Sequence, residues 1–153
     1  MSIKIDLKII LFILLLIATT QIQFYGIIML FALLHEIGHL IVGLFLGLKP
    51  QEIKIMPLGL SIAFKVNYQD YNHKIRKANK LAVKKIGIAL AGPIMNLIII
   101  LILILFSENL LIAQLPVEEM IYANVLIFIF NLFPIYPLDG GRVLKEVIYL
   151  QDG

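Results

Sequence analysis

The chain has 153 residues, of which 61% are hydrophobic and 15% charged, with a net charge of +3 and no cysteine. A soluble domain is roughly half apolar and about a quarter charged, so this balance excludes an ordinary water-soluble globule and points to a membrane protein. Without cysteine there is no disulfide framework and no thiolate, and any metal must be held by His, Asp or Glu.

One domain, 1–153, is expected at this length. Ile9 to Leu34 carries no charge, and the apolar run continues past His35-Glu36 to Leu48. That is too long for a single span of about 20 residues. The polar patch Thr19-Thr20-Gln21-Ile22-Gln23 divides it into a first span at about 9–22 and a second at about 24–48. With Lys4 and Lys8 ahead of it the first resembles a signal peptide, but no small-residue cleavage pattern follows, which favours a retained span. From Glu52 onward polar and apolar residues alternate, with Pro57 and Gly59 as a turn signal, and this predicts a short membrane-associated β-hairpin. Lys74, Arg76, Lys77, Lys80, Lys84 and Lys85 come next. Beside membrane spans such a run reads as a juxtamembrane segment on anionic lipid headgroups, not as a nucleic-acid site. A third span is expected at 86–106, with Gly87, Gly92, Pro93 and Asn96 in its first half. A fourth, 120–138, ends in Pro134, Pro137 and Asp139-Gly140-Gly141-Arg142. The tail Val143–Leu150 suits a short amphipathic helix. The predicted fold class is therefore an all-α polytopic membrane protein with about four transmembrane helices and a hairpin after the second.

Orientation follows from the basic residues. Nine of the 13 lie in the segment 49–85, two near the N-terminus (Lys4, Lys8) and two near the C-terminus (Arg142, Lys145). Four spans with both termini in the cytoplasm place every one of them inside.

The second span contains His35-Glu36-Ile37-Gly38-His39. On a helix the two histidines lie one turn apart on one face. They can grip one Zn²⁺ while Glu36 serves as general base toward a water at the metal. A chance match is the bland alternative. Against it stands the cost of burying a carboxylate and two imidazoles in a membrane helix with no Lys or Arg nearby, which a metal would offset. A catalytic zinc usually takes a third protein ligand. His73 sits among lysines in the basic segment and is a poor candidate. Asp139 is a better one, at the inner end of the fourth span, where Pro137 cannot donate a hydrogen bond and Gly140 and Gly141 keep the backbone free. A plain turn aspartate is the alternative there.

At this point the motifs resemble a family. His35-Glu36-Ile37-Gly38-His39, Ala91-Gly92-Pro93-Ile94-Met95-Asn96 and Asn131-Leu132-Phe133-Pro134-Ile135-Tyr136-Pro137-Leu138-Asp139-Gly140-Gly141-Arg142 look like the three signatures of the site-2 protease (M50) family, most of all its stage IV sporulation protein FB branch. The resemblance implies an intramembrane zinc metalloprotease with His35, His39 and Asp139 on one zinc per chain and Glu36 as catalytic base. It implies that Asn96 and Asn131 lie near the site, with Pro137 beside them. Helix packing is the alternative for Gly92 and Asn96. The implied substrate is a membrane-embedded or membrane-tethered protein, such as a sporulation sigma factor precursor, with regulatory membrane proteins as further partners. Relatives of this branch carry two further spans and often a cytoplasmic domain, so the chain reads as a minimal enzyme or a piece of a longer one. A metal-binding or transport module and a silent substrate-binding fragment are the rival readings.

Overall fold

Ile22–Phe45 forms the first helix, α1. It is apolar apart from Gln23, Tyr25, His35, Glu36 and His39, and its polar and small side chains tend to face inward while its aliphatic ones face outward. Phe31, Ala32, His35, Gly38, His39 and Gly43 face inward, while Leu30, Leu33, Ile41, Leu44 and Phe45 face outward. This reverses the arrangement of a soluble protein, in which buried polar groups are the exception. It suits helices that contact one another through small residues and meet hydrocarbon on their outer faces.

The computed structural model describes residues 2–5, 22–56, 59–65 and 74–151. The expected first span falls almost wholly outside them, as do Pro57 and His73. Gly47, with φ +78°, turns the chain after α1, a left-handed conformation that glycine adopts without steric cost. Strands β2 (Lys49–Met56) and β3 (Gly59–Lys65) pair antiparallel, with an irregularity between Pro50 and Glu52. Strand β1 (Ser2–Ile5) pairs parallel with β2, from Ser2 opposite Glu52 to Ile5 opposite Ile55. The three form a small sheet in the order β1-β2-β3. The expected class, all-α with a hairpin after the second span, therefore omits the third strand of this sheet. Its β1 strand escapes local reading because a parallel partner lies some fifty positions away in sequence.

Helix α2 runs from Lys74 to Leu105. The basic run is thus no loop: its lysines and arginine occupy the first turns of the same helix that carries the apolar third segment. Nothing between Lys74 and Ile86 breaks a helix, and Lys, Arg and Ala are good helix formers. A short helix α3 (Ser107–Ile112) leads to α4 (Val117–Leu132) and then α5 (Asp139–Gln151). Helix α4 begins three residues before the expected fourth span and stops six residues before its end. The cause is Pro134. Phe133, the residue before it, sits at φ −58°, ψ 134°, the extended conformation that proline imposes on its predecessor.

Two described helices are long and apolar enough to cross a membrane, Ile22–Phe45 and the Asn79–Leu105 part of α2. Helix α4, at 16 residues, is about 24 Å long, shorter than a hydrocarbon core of about 30 Å. Helices α1, α2 and α4 pack together, and α5 docks on α2. The apolar core of Phe31, Leu103 and Ala123 joins the first three. Near Gly38 the helices α1 and α2 approach so closely that a Cβ there would lie 2.8 Å from the Ala91 carbonyl and 2.9 Å from the Met95 Cβ.

A candidate metal centre between three helices

His35 and His39 point inward from α1, one turn apart, with ring centroids 4.7 Å apart and planes nearly perpendicular. Asp139 opens α5. Its Oδ2 lies 2.9 Å from His35 Nε2 and 3.1 Å from His39 Nε2, and the two Nε2 atoms are 3.1 Å apart. All three side chains are buried, and their ligand atoms lie within 4.8 Å of one another.

The tautomer of His39 carries the chemistry. Its Nδ1–H donates to the Ile88 carbonyl at 2.6 Å. A neutral His39 then presents a lone pair on Nε2 toward a carboxylate oxygen, and two lone pairs at that distance repel unless a proton or a cation lies between them. His35 Nδ1 has no hydrogen-bond partner among the described residues. The backbone near Ile88 is loosened one turn on, because Pro93 in α2 has no N–H to return to the Ala89 carbonyl.

Gly92 lies against both rings. A Cβ built on it would meet His39 Nε2, His35 Nε2 and His39 Cε1 well inside contact distance. The glycine leaves open a space beside the converging nitrogens. Two imidazoles and one carboxylate match a zinc donor set with a free fourth position, so the residues present fit a zinc ion.

The glycines after Asp139 act otherwise than expected. Gly140 and Gly141 are helical, and neither has a positive φ. A Cβ on Gly140 would strike the Leu132 and Phe133 carbonyls, and one on Gly141 would strike the Ile135–Tyr136 peptide. They serve close approach, letting α5 start against the loop that follows α4. Arg142 Nη1 reaches Asp139 Oδ1 at 3.5 Å. Lys85 pairs with Glu146 at 3.0 Å, tying α5 to α2, and Lys84 Nζ donates to the Leu46 carbonyl at the end of α1.

A cavity of about 490 Å³ opens beside the cluster. Helix α1 contributes Ile28, Ala32, His35 and Glu36 to its wall. From α4 come Ala123, Leu126, Ile127, Phe130 and Asn131, and Leu138 closes the end. Glu36 thus shares the cavity wall with His35. Asn131 lines the cavity, its Nδ2 donating to the Ile127 carbonyl. Asn96 is fully buried one turn beyond Gly92, outside the cavity lining, and neither amide atom has a hydrogen-bond partner among the described residues. Pro137 is exposed, after a cis Tyr136–Pro137 bond. Sequence reasoning missed the Ile88 carbonyl, for which no side chain could give a signal, and Asn124. The latter is fully buried, with Nδ2 on the Met120 carbonyl and Oδ1 unpaired. The rule that a polar residue inside an apolar helix needs a reason would have singled it out.

Buried His, His and Asp converging from two helices, with a glutamate lining the adjacent cavity, define the kind of centre a metal-dependent hydrolase uses. The sequence profile of peptidase family M50 matches residues 23–116 and 108–151, and the chain belongs to that family. Over 118 residues it is 34% identical to a zinc metalloprotease of Methanocaldococcus jannaschii, which covers 75% of this chain and 31% of that protein. Over 117 residues it is 25% identical to the stage IV sporulation protein FB of Bacillus subtilis, covering 76% of this chain and 37% of the relative. The chain spans about a third of the length of these curated relatives.

Proposed function

We propose that the chain is the core of an intramembrane zinc metalloprotease that hydrolyses a peptide bond in a membrane-embedded or membrane-tethered protein. The observation that carries this reading is the convergence of His35, His39 and Asp139 beside a cavity that Glu36 lines. His35, His39 and Asp139 would hold one zinc ion per chain. Bound zinc supplies Lewis acidity and lowers the pKa of a coordinated water toward about 7. Glu36 takes a proton from the attacking water as its oxygen bonds to the scissile carbonyl carbon. It then passes the proton to the amine nitrogen as the C–N bond breaks. The Ile88 carbonyl holds the His39 ring through Nδ1, and Gly92 leaves room beside both rings. The substrate backbone enters unwound, since a helix keeps its carbonyls in internal hydrogen bonds.

The remaining parts of the proposal concern setting. The chain crosses the bilayer about four times with both termini in the cytoplasm, supported by the distribution of its basic residues. The basic start of α2 meets anionic headgroups. The substrate is a regulatory precursor, such as a sporulation sigma factor precursor, in keeping with the name of the Bacillus relative.

Glu36→Gln tests the reading, because it keeps shape and removes the base. Cleavage of co-expressed membrane-tethered substrates should fall by about 10²–10⁴-fold, with zinc content unchanged. A metal carrier or a silent binder would be insensitive to the change. Undiminished proteolysis by zinc-loaded Glu36→Gln would overturn the assignment.

A further inference from the structure

The cavity extends well beyond the reacting groups. Its α1 wall, from Ile28 to Glu36, is one helix face at i, i+4, i+7 and i+8, and its α4 wall from Ala123 to Asn131 has the same spacing. Eight residues of helix rise about 12 Å, the length of about three or four residues of extended chain. His35, Glu36 and Asn131 gather at one end, and the rest of the lining is apolar. Two alanines interrupt the larger side chains. Ala32 sits one turn before Glu36, and Ala123 is fully buried at the far end. Ala32 leaves room on the groove wall where neighbouring positions carry Ile or Leu, whereas Ala123 has no exposed surface and belongs to the core with Phe31 and Leu103.

We infer that this groove is the subsite for an extended, uncharged stretch of substrate on one side of the scissile bond, with Ala32 setting the side-chain size it admits. The inference rests on the proteolytic reading above. The occupant is a peptide because the groove is continuous with Glu36 and His35, so a chain whose carbonyl is attacked there must leave along it. A charged residue in the groove would find no partner among Ile28, Leu126, Ile127 and Phe130 and would lose its hydration. Ala32, next to the reacting end, governs the residue nearest the scissile bond.

The test uses the zinc-loaded full chain in vesicles containing phosphatidylglycerol. The probes are synthetic apolar peptides of about 20 residues, one span in length. They are identical except for a stepped window of about four residues made of Ala, Leu, Phe or Lys. Mass spectrometry reads the products, and metal analysis reads zinc. Wild type should cut Ala and Leu windows and cut Lys windows at least about tenfold less. Hydrophobic pockets discriminate by about 10–200-fold per methylene. Ala32→Leu should therefore keep its zinc and lose Leu and Phe relative to Ala at the position nearest the cut by about tenfold or more. Ala32→Val provides a smaller step where Ala32→Leu does not fold. An unchanged profile in the zinc-loaded variants would overturn the inference and leave the protease reading standing, as a groove filled only by lipid would. Cleavage of Lys windows as fast as Ala windows would also overturn it. If zinc-loaded wild type cut none of the peptides or membrane-tethered substrates, the proposed function would fail first.

Discussion

Gly92→Ala should weaken metal binding while adding a single methyl group. The new Cβ would lie 2.5 Å from both His35 Nε2 and His39 Cε1, whereas ordinary carbon contacts fall at about 3.5–4.0 Å. The rings or the helix must retreat by about 1 Å. Metal sites tolerate ligand displacements of about 0.2 Å, so the geometry cannot survive a shift of that size. The backbone has little freedom to yield, because α2 already touches α1 closely at Gly38. Overpacking typically costs about 1–3 kcal/mol, which corresponds to about 5–140-fold in zinc affinity. The assay is competition with a chromogenic chelator on purified protein, beside an unfolding curve that establishes the variant is folded. Gly26→Ala is the matched control, since a Cβ there meets nothing within 4 Å and alanine is the better helix former. A folded Gly92→Ala protein that binds zinc as tightly as wild type would refute the cradle and the placement of the ion beside it.

Three further changes probe separate parts of the architecture. Asp139→Ala removes the carboxylate that contacts both imidazoles and should strip most zinc at concentrations that saturate wild type; full occupancy by metal analysis would withdraw Asp139 from the donor set. Gly141→Ala drives a Cβ into the Ile135–Tyr136 peptide and should destabilise the protein by about 1–3 kcal/mol in a denaturant titration in detergent, with an unshifted midpoint counting against the tight start of α5. A cysteine at position 79 (Asn79→Cys), in a chain that has none of its own, should be labelled by an impermeant reagent only after cells are opened; labelling from outside intact cells would reverse the proposed orientation.

The HExxH pair was legible because it is local. Residues four apart share a helix face whatever else the chain does, so His35, Glu36 and His39 could be read together with the apolar run around them. The alternation in β2 and β3 is local in the same way; the break at Pro134 is local too, since its effect on Phe133 needs no partner, yet the expected span runs through it to residue 138. Tertiary structure alone brings Asp139 across a hundred positions to Oδ2 distances near 3 Å from both rings. It also gives the glycines their meaning. Gly92, Gly140 and Gly141 are needed because other parts of the chain come too close for a methyl group, and that approach depends on how three helices and a loop cross. The carbonyl of Ile88 and the far wall of the groove have no signature at all in sequence. One is a backbone atom common to every residue. The other exists only because α1 and α4, nearly a hundred residues apart, lie side by side with Ala32 and Leu126 lining a shared cavity. Periodicity reports which face of an element is turned inward, and only packing decides what that face meets.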